Sequence, residues 1–94
     1  MSEAATRVVR IRTALAAAFP GATIEVVDDS HLHRGHAGAR EGKGHFRVSL
    51  TSPVFDGLLP LARHRKVYAA LGTLMDSDIH ALSIDAKSPR ERDE

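Results

Sequence analysis

The stretch His45-Phe46-Arg47-Val48-Ser49-Leu50-Thr51 decides how this chain folds. Phe46, Val48 and Leu50 alternate with His45, Arg47, Ser49 and Thr51, the two-residue period of an extended segment with one apolar and one polar face. Such a strand needs cover on one side and tolerates water on the other. His45 falls on the polar face, where a solvent-exposed structural histidine is expected.

The cover comes from both flanks. Toward the N-terminus, Val8, Ile11, Leu15, Ala18 and Phe19 recur at helical spacing between about Ala4 and Phe19, with Arg7, Arg10 and Arg12 mostly off the stripe. Pro20-Gly21 ends that helix, because proline disfavours helical geometry in the residue before it. Ala22 to Asp28 reads as a strand. Toward the C-terminus, Ser52-Pro53 and a turn through Phe55-Asp56-Gly57 lead into a helix from about Pro60 to Met75, with Val67, Tyr68, Leu71, Leu74 and Met75 on its stripe. Asp76-Ser77-Asp78 interrupts it. Ile79 to Ala86 then forms a third strand in which Leu82 and Ile84 share a face with His80.

The order is αββαβ, which predicts an α+β fold of two layers, with both helices on the apolar face of the sheet. A strand reached through a helix is set parallel to its neighbour by a right-handed crossover, so the three-stranded sheet is expected to be mixed. The chain is expected to form a single domain over 1–94, with 1–3 and the charged 87–94 frayed.

Composition excludes several functions. The chain has 94 residues, six histidines, no cysteine and a formal net charge of +1. No disulfide framework is possible, and an iron–sulfur cluster cannot be held by this chain alone through the usual cysteine pattern. A nearly neutral chain has no global attraction to nucleic acid, so any such binding needs a local patch. No apolar run approaches the ~20 residues that span a bilayer. The first twenty residues lack a basic segment followed by an apolar one. The expectation is a cytoplasmic protein without membrane association.

About fifteen polar and glycine-rich residues separate the first two strands, more than a hairpin requires. His31, His33 and His36 lie there. Imidazole is the commonest side-chain metal ligand, so the cluster reads either as a coordinating loop or as a solvated one that binds nothing. His-x-x-His also occurs in zinc sites, but zinc normally takes four ligands, or three plus water. His64 sits on or beside the second-helix stripe and is expected to be structural. Ser30 between Asp29 and His31 has the residue types of a triad without the required separation, so no catalysis is expected.

Arg63, Arg65 and Lys66, with Arg47 near them, form the candidate basic patch for nucleic acid. Its alternative is a solvated helix face. Gly35-His36-Ala37-Gly38 has the GXXG pattern of a nucleic-acid clamp but lies between strands rather than helices.

Taken together, Val26-Val27-Asp28-Asp29-Ser30-His31, Gly44-His45-Phe46-Arg47-Val48, Phe55-Asp56-Gly57 with Arg63-His64-Arg65-Lys66-Val67-Tyr68, and Ile79-His80-Ala81-Leu82 resemble the BolA family, in the family's order and across essentially the whole domain. The resemblance implies a class II KH-like fold and partnership with a monothiol glutaredoxin in iron–sulfur trafficking. For some members it implies transcriptional regulation by DNA binding. It further implies that His80 ligates a [2Fe–2S] cluster shared with the glutaredoxin and glutathione, and that none is bound by the isolated chain. A loop histidine is the other ligand; His36 matches best, in Gly-His-Ala beyond the Asp-Ser segment, with His33 the alternate. Two imidazoles on one iron and two thiolates on the other would resemble a Rieske centre. The free protein is expected to be a monomer or weak homodimer.

Overall fold

The computed structural model describes residues 3–30 and 44–92. Helix α1 (Glu3–Ala18) leads to strand β1 (Thr23–Asp28), and strand β2 (Gly44–Thr51) is followed by a 3-10 turn at Pro53–Phe55. Helix α2 (Pro60–Leu71), a one-turn helix α3 (Leu74–Ser77), strand β3 (Ile79–Lys87) and a one-turn helix α4 (Pro89–Arg92) complete the chain.

The sheet order is β1-β2-β3. β1 runs antiparallel to β2, with Val26 opposite Val48, and β3 runs parallel to β2, with Val48 opposite Ile84. This is the expected mixed sheet. Phe46, Val48 and Leu50 are all buried, and they meet Ile11 and Leu15 from α1, Phe19 just after it, and Val67 and Leu71 from α2 in one core. Arg47, Ala81, Ser83 and Asp85 on the opposite face are exposed. The β2 alternation therefore separates helix layer from open face.

Several details differ from the sequence reading. Ala18 is exposed, and Ala14 packs against the core in its place. Phe55 is fully buried, its ring centroid 5.3 Å from that of Phe19. The second helix stops at Leu71 rather than Met75, because Gly72 takes φ 54° and returns its N–H to the Tyr68 carbonyl. A positive φ costs glycine little and ends a helix. Tyr68 is 42% exposed: Val67 and Leu71, four residues apart, share the core-facing side of α2, and Tyr68 lies about 100° round the helix from Val67. The segment expected to be frayed contains the end of β3 and all of α4: the Ser52 N–H donates to the Lys87 carbonyl at 2.9 Å, and Ser88 is buried.

Candidate functional site

β3 departs from ideal pairing at its start. Gly44 lies opposite Ile79, but His45 lies opposite Ala81, so His80 is an extra residue with no partner on β2. A bulge of this kind bends the strand and re-aims a side chain. It lets Ile79 and Leu82 both face the core despite their three-residue separation. His80, which straightforward alternation would put in phase with Leu82 and Ile84, is exposed.

His45 does the opposite. On the nominally open face, it is only 8% exposed, which corrects the expectation of a solvent-facing residue. The His80 ring lies against it, centroids 5.1 Å apart and planes tilted by 52°. The chain beyond β1 also closes on it: the Asp29 N–H donates to the His45 carbonyl at 2.8 Å, and the His45 N–H donates to Ser30 Oγ at 3.1 Å. Ser30 is held by its own N–H donating to Asp28 Oδ1 at 2.8 Å. A cleft of about 160 Å³ lies alongside, lined by Asp29, His45, Phe46, Ala81, Leu82 and Ser83.

Asp78 anchors the start of β3. It is 5% exposed, and its carboxylate accepts from the Ser77 hydroxyl at 2.6 Å and from Arg10 Nη1 at 2.9 Å. Its carbonyl accepts the Gly44 N–H at 2.9 Å, and its own N–H donates to Leu74. The Ser77 hydrogen bond first, then the Arg10 hydrogen bond and charge and the more distant Arg7, hold its carboxyl below the usual value against the opposing effect of burial. One residue thus ties α1, α3 and the first residue of β2 together, two positions before His80.

His31, His33 and His36 lie outside the described residues. The segment that carries them leaves from Ser30 and rejoins at Gly44, and both attachment points flank His45. Among the described residues, no group of three or more His, Cys, Asp or Glu side chains is arranged to hold a metal ion.

The basic patch divides. Arg63 donates from Nε to the Leu58 carbonyl at 2.7 Å and from Nη1 to the Ala86 carbonyl at 2.9 Å, stapling α2 to the end of β3. Arg65 and Lys66 are exposed, and Lys66 lines a groove of about 490 Å³ with Phe19, Val54 and Ala70. Arg47 is not beside them: it lies on the other sheet face, 3.4 Å from Asp29. Among the described residues the three phenylalanines are buried and Tyr68, on α2, is the one Phe, Tyr or Trp side chain that is substantially exposed, so none of these rings stands on the open sheet face. His64 is half-buried on α2.

The sequence reading missed His45, Asp78 and Arg10. Alternation alone places His45 in solvent, and Asp78 reads from its neighbours as a helix breaker. No local signal links Arg10 to a residue 68 positions away.

No helix among the described residues is long and apolar enough to cross a membrane. The BolA domain of SufE1 from Arabidopsis thaliana superposes with a TM-score of 0.80 at 38% identity, covering 92% of this chain and 95% of that one. BolA-like protein 1 of Homo sapiens is 41% identical over 81 residues, 86% of this chain and 57% of the human protein. The DNA-binding transcriptional regulator BolA of Escherichia coli is 38% identical over 82 residues, 87% of this chain and 75% of that protein. The chain spans 24% of the SufE-like protein 1 of Arabidopsis and little more than half of the human relative. The profile of the BolA-like protein family matches residues 15–91. By profile, sequence identity and fold, this chain belongs to the BolA-like protein family.

Proposed function

We propose that the protein is a cytoplasmic adaptor that binds a monothiol glutaredoxin and co-ligates a [2Fe–2S] cluster with it through His80 and a loop histidine, His36 or else His33. The observation that carries this reading is the exposed His80 imidazole on a bulge, beside the two points where the histidine-bearing segment joins the sheet. The donor chemistry fits. With no cysteine, the chain offers imidazoles only, so the thiolates must come from outside, from the glutaredoxin and glutathione. Bound there, the cluster would supply electron-transfer or transfer chemistry at a potential raised by imidazole ligation.

The test mixes the protein with cluster-loaded monothiol glutaredoxin and follows the visible spectrum. Wild type is expected to alter it, and a folded His80→Ala variant to leave it unaltered. His80→Cys is expected to restore a complex with a more thiolate-like absorption, because a thiolate ligates iron at similar reach. His36→Ala, or His33→Ala if that residue is the ligand, should also abolish the change. The reading fails if His80→Ala gives the wild-type spectrum and cluster stability.

An alternative reading, a DNA-binding regulator, draws on the name of the Escherichia coli relative and on exposed Arg65 and Lys66. Duplex titrations at several salt concentrations distinguish it. A DNA binder loses affinity steeply with salt as released counterions are restored, and Arg65→Ala would weaken it further.

A further inference from the structure

We propose that His45 is a positioning residue for His80, its buried ring forming the wall that fixes the orientation of the exposed imidazole; this rests on the reading of His80 as a ligand. A bulge re-aims a side chain but does not select its rotamer. His80 has no cross-strand partner on β2 to restrict it. The ring it meets is that of His45, at a centroid separation of 5.1 Å and a tilt of 52°, within the range of favourable offset ring pairs.

A wall is useful only if it does not yield. His45 is pinned through its backbone on both sides, by Ser30 Oγ and by the Asp29 N–H. Gly44 before it is tied to the Asp78 carbonyl. The cleft beside the ring is bounded by Asp29, Ala81 and Ser83, so His45 sits among fixed elements rather than in solvent. At 8% exposure, the ring is in place to hold a neighbour but not to present a lone pair to an incoming cluster. Packing that holds a ligand side chain ready removes ordering that binding would otherwise have to supply.

The test uses the full chain with His45→Ala, which removes the wall, and His45→Phe, which keeps a flat ring without nitrogen. His45→Leu, which fills volume without a flat ring, replaces the alanine variant if that does not fold. In the free protein, side-chain NMR couplings of His80 are expected to report one rotamer in wild type, averaging in His45→Ala and recovery in His45→Phe. With cluster-loaded glutaredoxin, His45→Ala should lose the cluster on the order of tenfold faster than wild type, and His45→Phe should restore most of its lifetime. Unchanged His80 couplings in the folded alanine or leucine variant would overturn the proposal. So would equal loss of the cluster spectrum in the alanine and phenylalanine variants, which would make His45 a ligand. If the couplings average as expected but neither wild type nor any variant alters the cluster spectrum, the positioning role stands and the cluster reading fails.

Discussion

Gly44→Ala tests whether the junction of β2, β3 and the Asp28–Ser30 segment is as tight as its contacts require. Gly44 does not have a left-handed φ, so backbone strain gives no reason for glycine there. Space does. An added Cβ would lie 2.6 Å from Phe46 Cε2, 2.7 Å from Cζ and 2.8 Å from Ser30 Oγ. Carbon atoms pack at about 3.5–4.0 Å, so the Phe46 ring must withdraw by about 1 Å. That ring is in the core, and forcing extra volume into a packed core costs about 1–3 kcal/mol. Displacing Ser30 also loses the hydrogen bond from the His45 N–H, about 1 kcal/mol more. The expected destabilisation is about 2–4 kcal/mol, a fall in Tm of roughly 10–20 °C, read by urea and thermal unfolding. Gly57→Ala is the contrast: Gly57 has φ 78° with nothing within 4 Å, so only a left-handed backbone penalty of about 1–2 kcal/mol applies. Phe46→Leu should relieve the clash, making Gly44→Ala/Phe46→Leu less destabilised than the two single changes combined. A Gly44→Ala midpoint within about 0.5 kcal/mol of wild type, or strict additivity in the double variant, would refute the steric argument.

Replacing fully buried Val48, or Leu71, by alanine should cost about 2–4 kcal/mol, whereas Arg47→Ala, with a half-exposed ion pair to Asp29, should cost less than about 1 kcal/mol; equal urea midpoints for Val48→Ala and Arg47→Ala would mean the strand phase is wrong. Arg63→Ala should destabilise by about 1.5–3 kcal/mol by losing donors to the Leu58 and Ala86 carbonyls, and Arg65→Ala by almost nothing; similar Tm values for the two would remove the staple. Because the Asp78 carboxyl is held below its ordinary value in the fold, its stabilising contribution is present above about pH 4 and is lost as pH falls through the folded value. Asp78→Asn should therefore be less stable than wild type at neutral pH, with the gap narrowing below about pH 4; a gap independent of pH in urea titrations would contradict this.

Local pattern alone determined the elements and their layering. The β2 alternation identified the buried face, Val8, Ile11 and Leu15 identified the face of α1, and a helix between β2 and β3 required a parallel crossover. The family was legible for the same reason, since its motifs are short and contiguous. The environment of the candidate site depended on contacts between distant segments. Alternation puts His45 in water and His80 toward the core, yet one extra residue in β3, visible only once the strands pair, exposes His80 and lets its ring pack on His45. Charge composition grouped Arg63 with Arg65 and Lys66, but the Ala86 carbonyl, 23 residues away, takes one of its donors. Asp78 resembles a local breaker because the guanidinium that completes it arrives from α1. Side-chain period and composition are properties of neighbouring residues, whereas burial, pairing register and ion partners are set by segments that meet only in the folded chain.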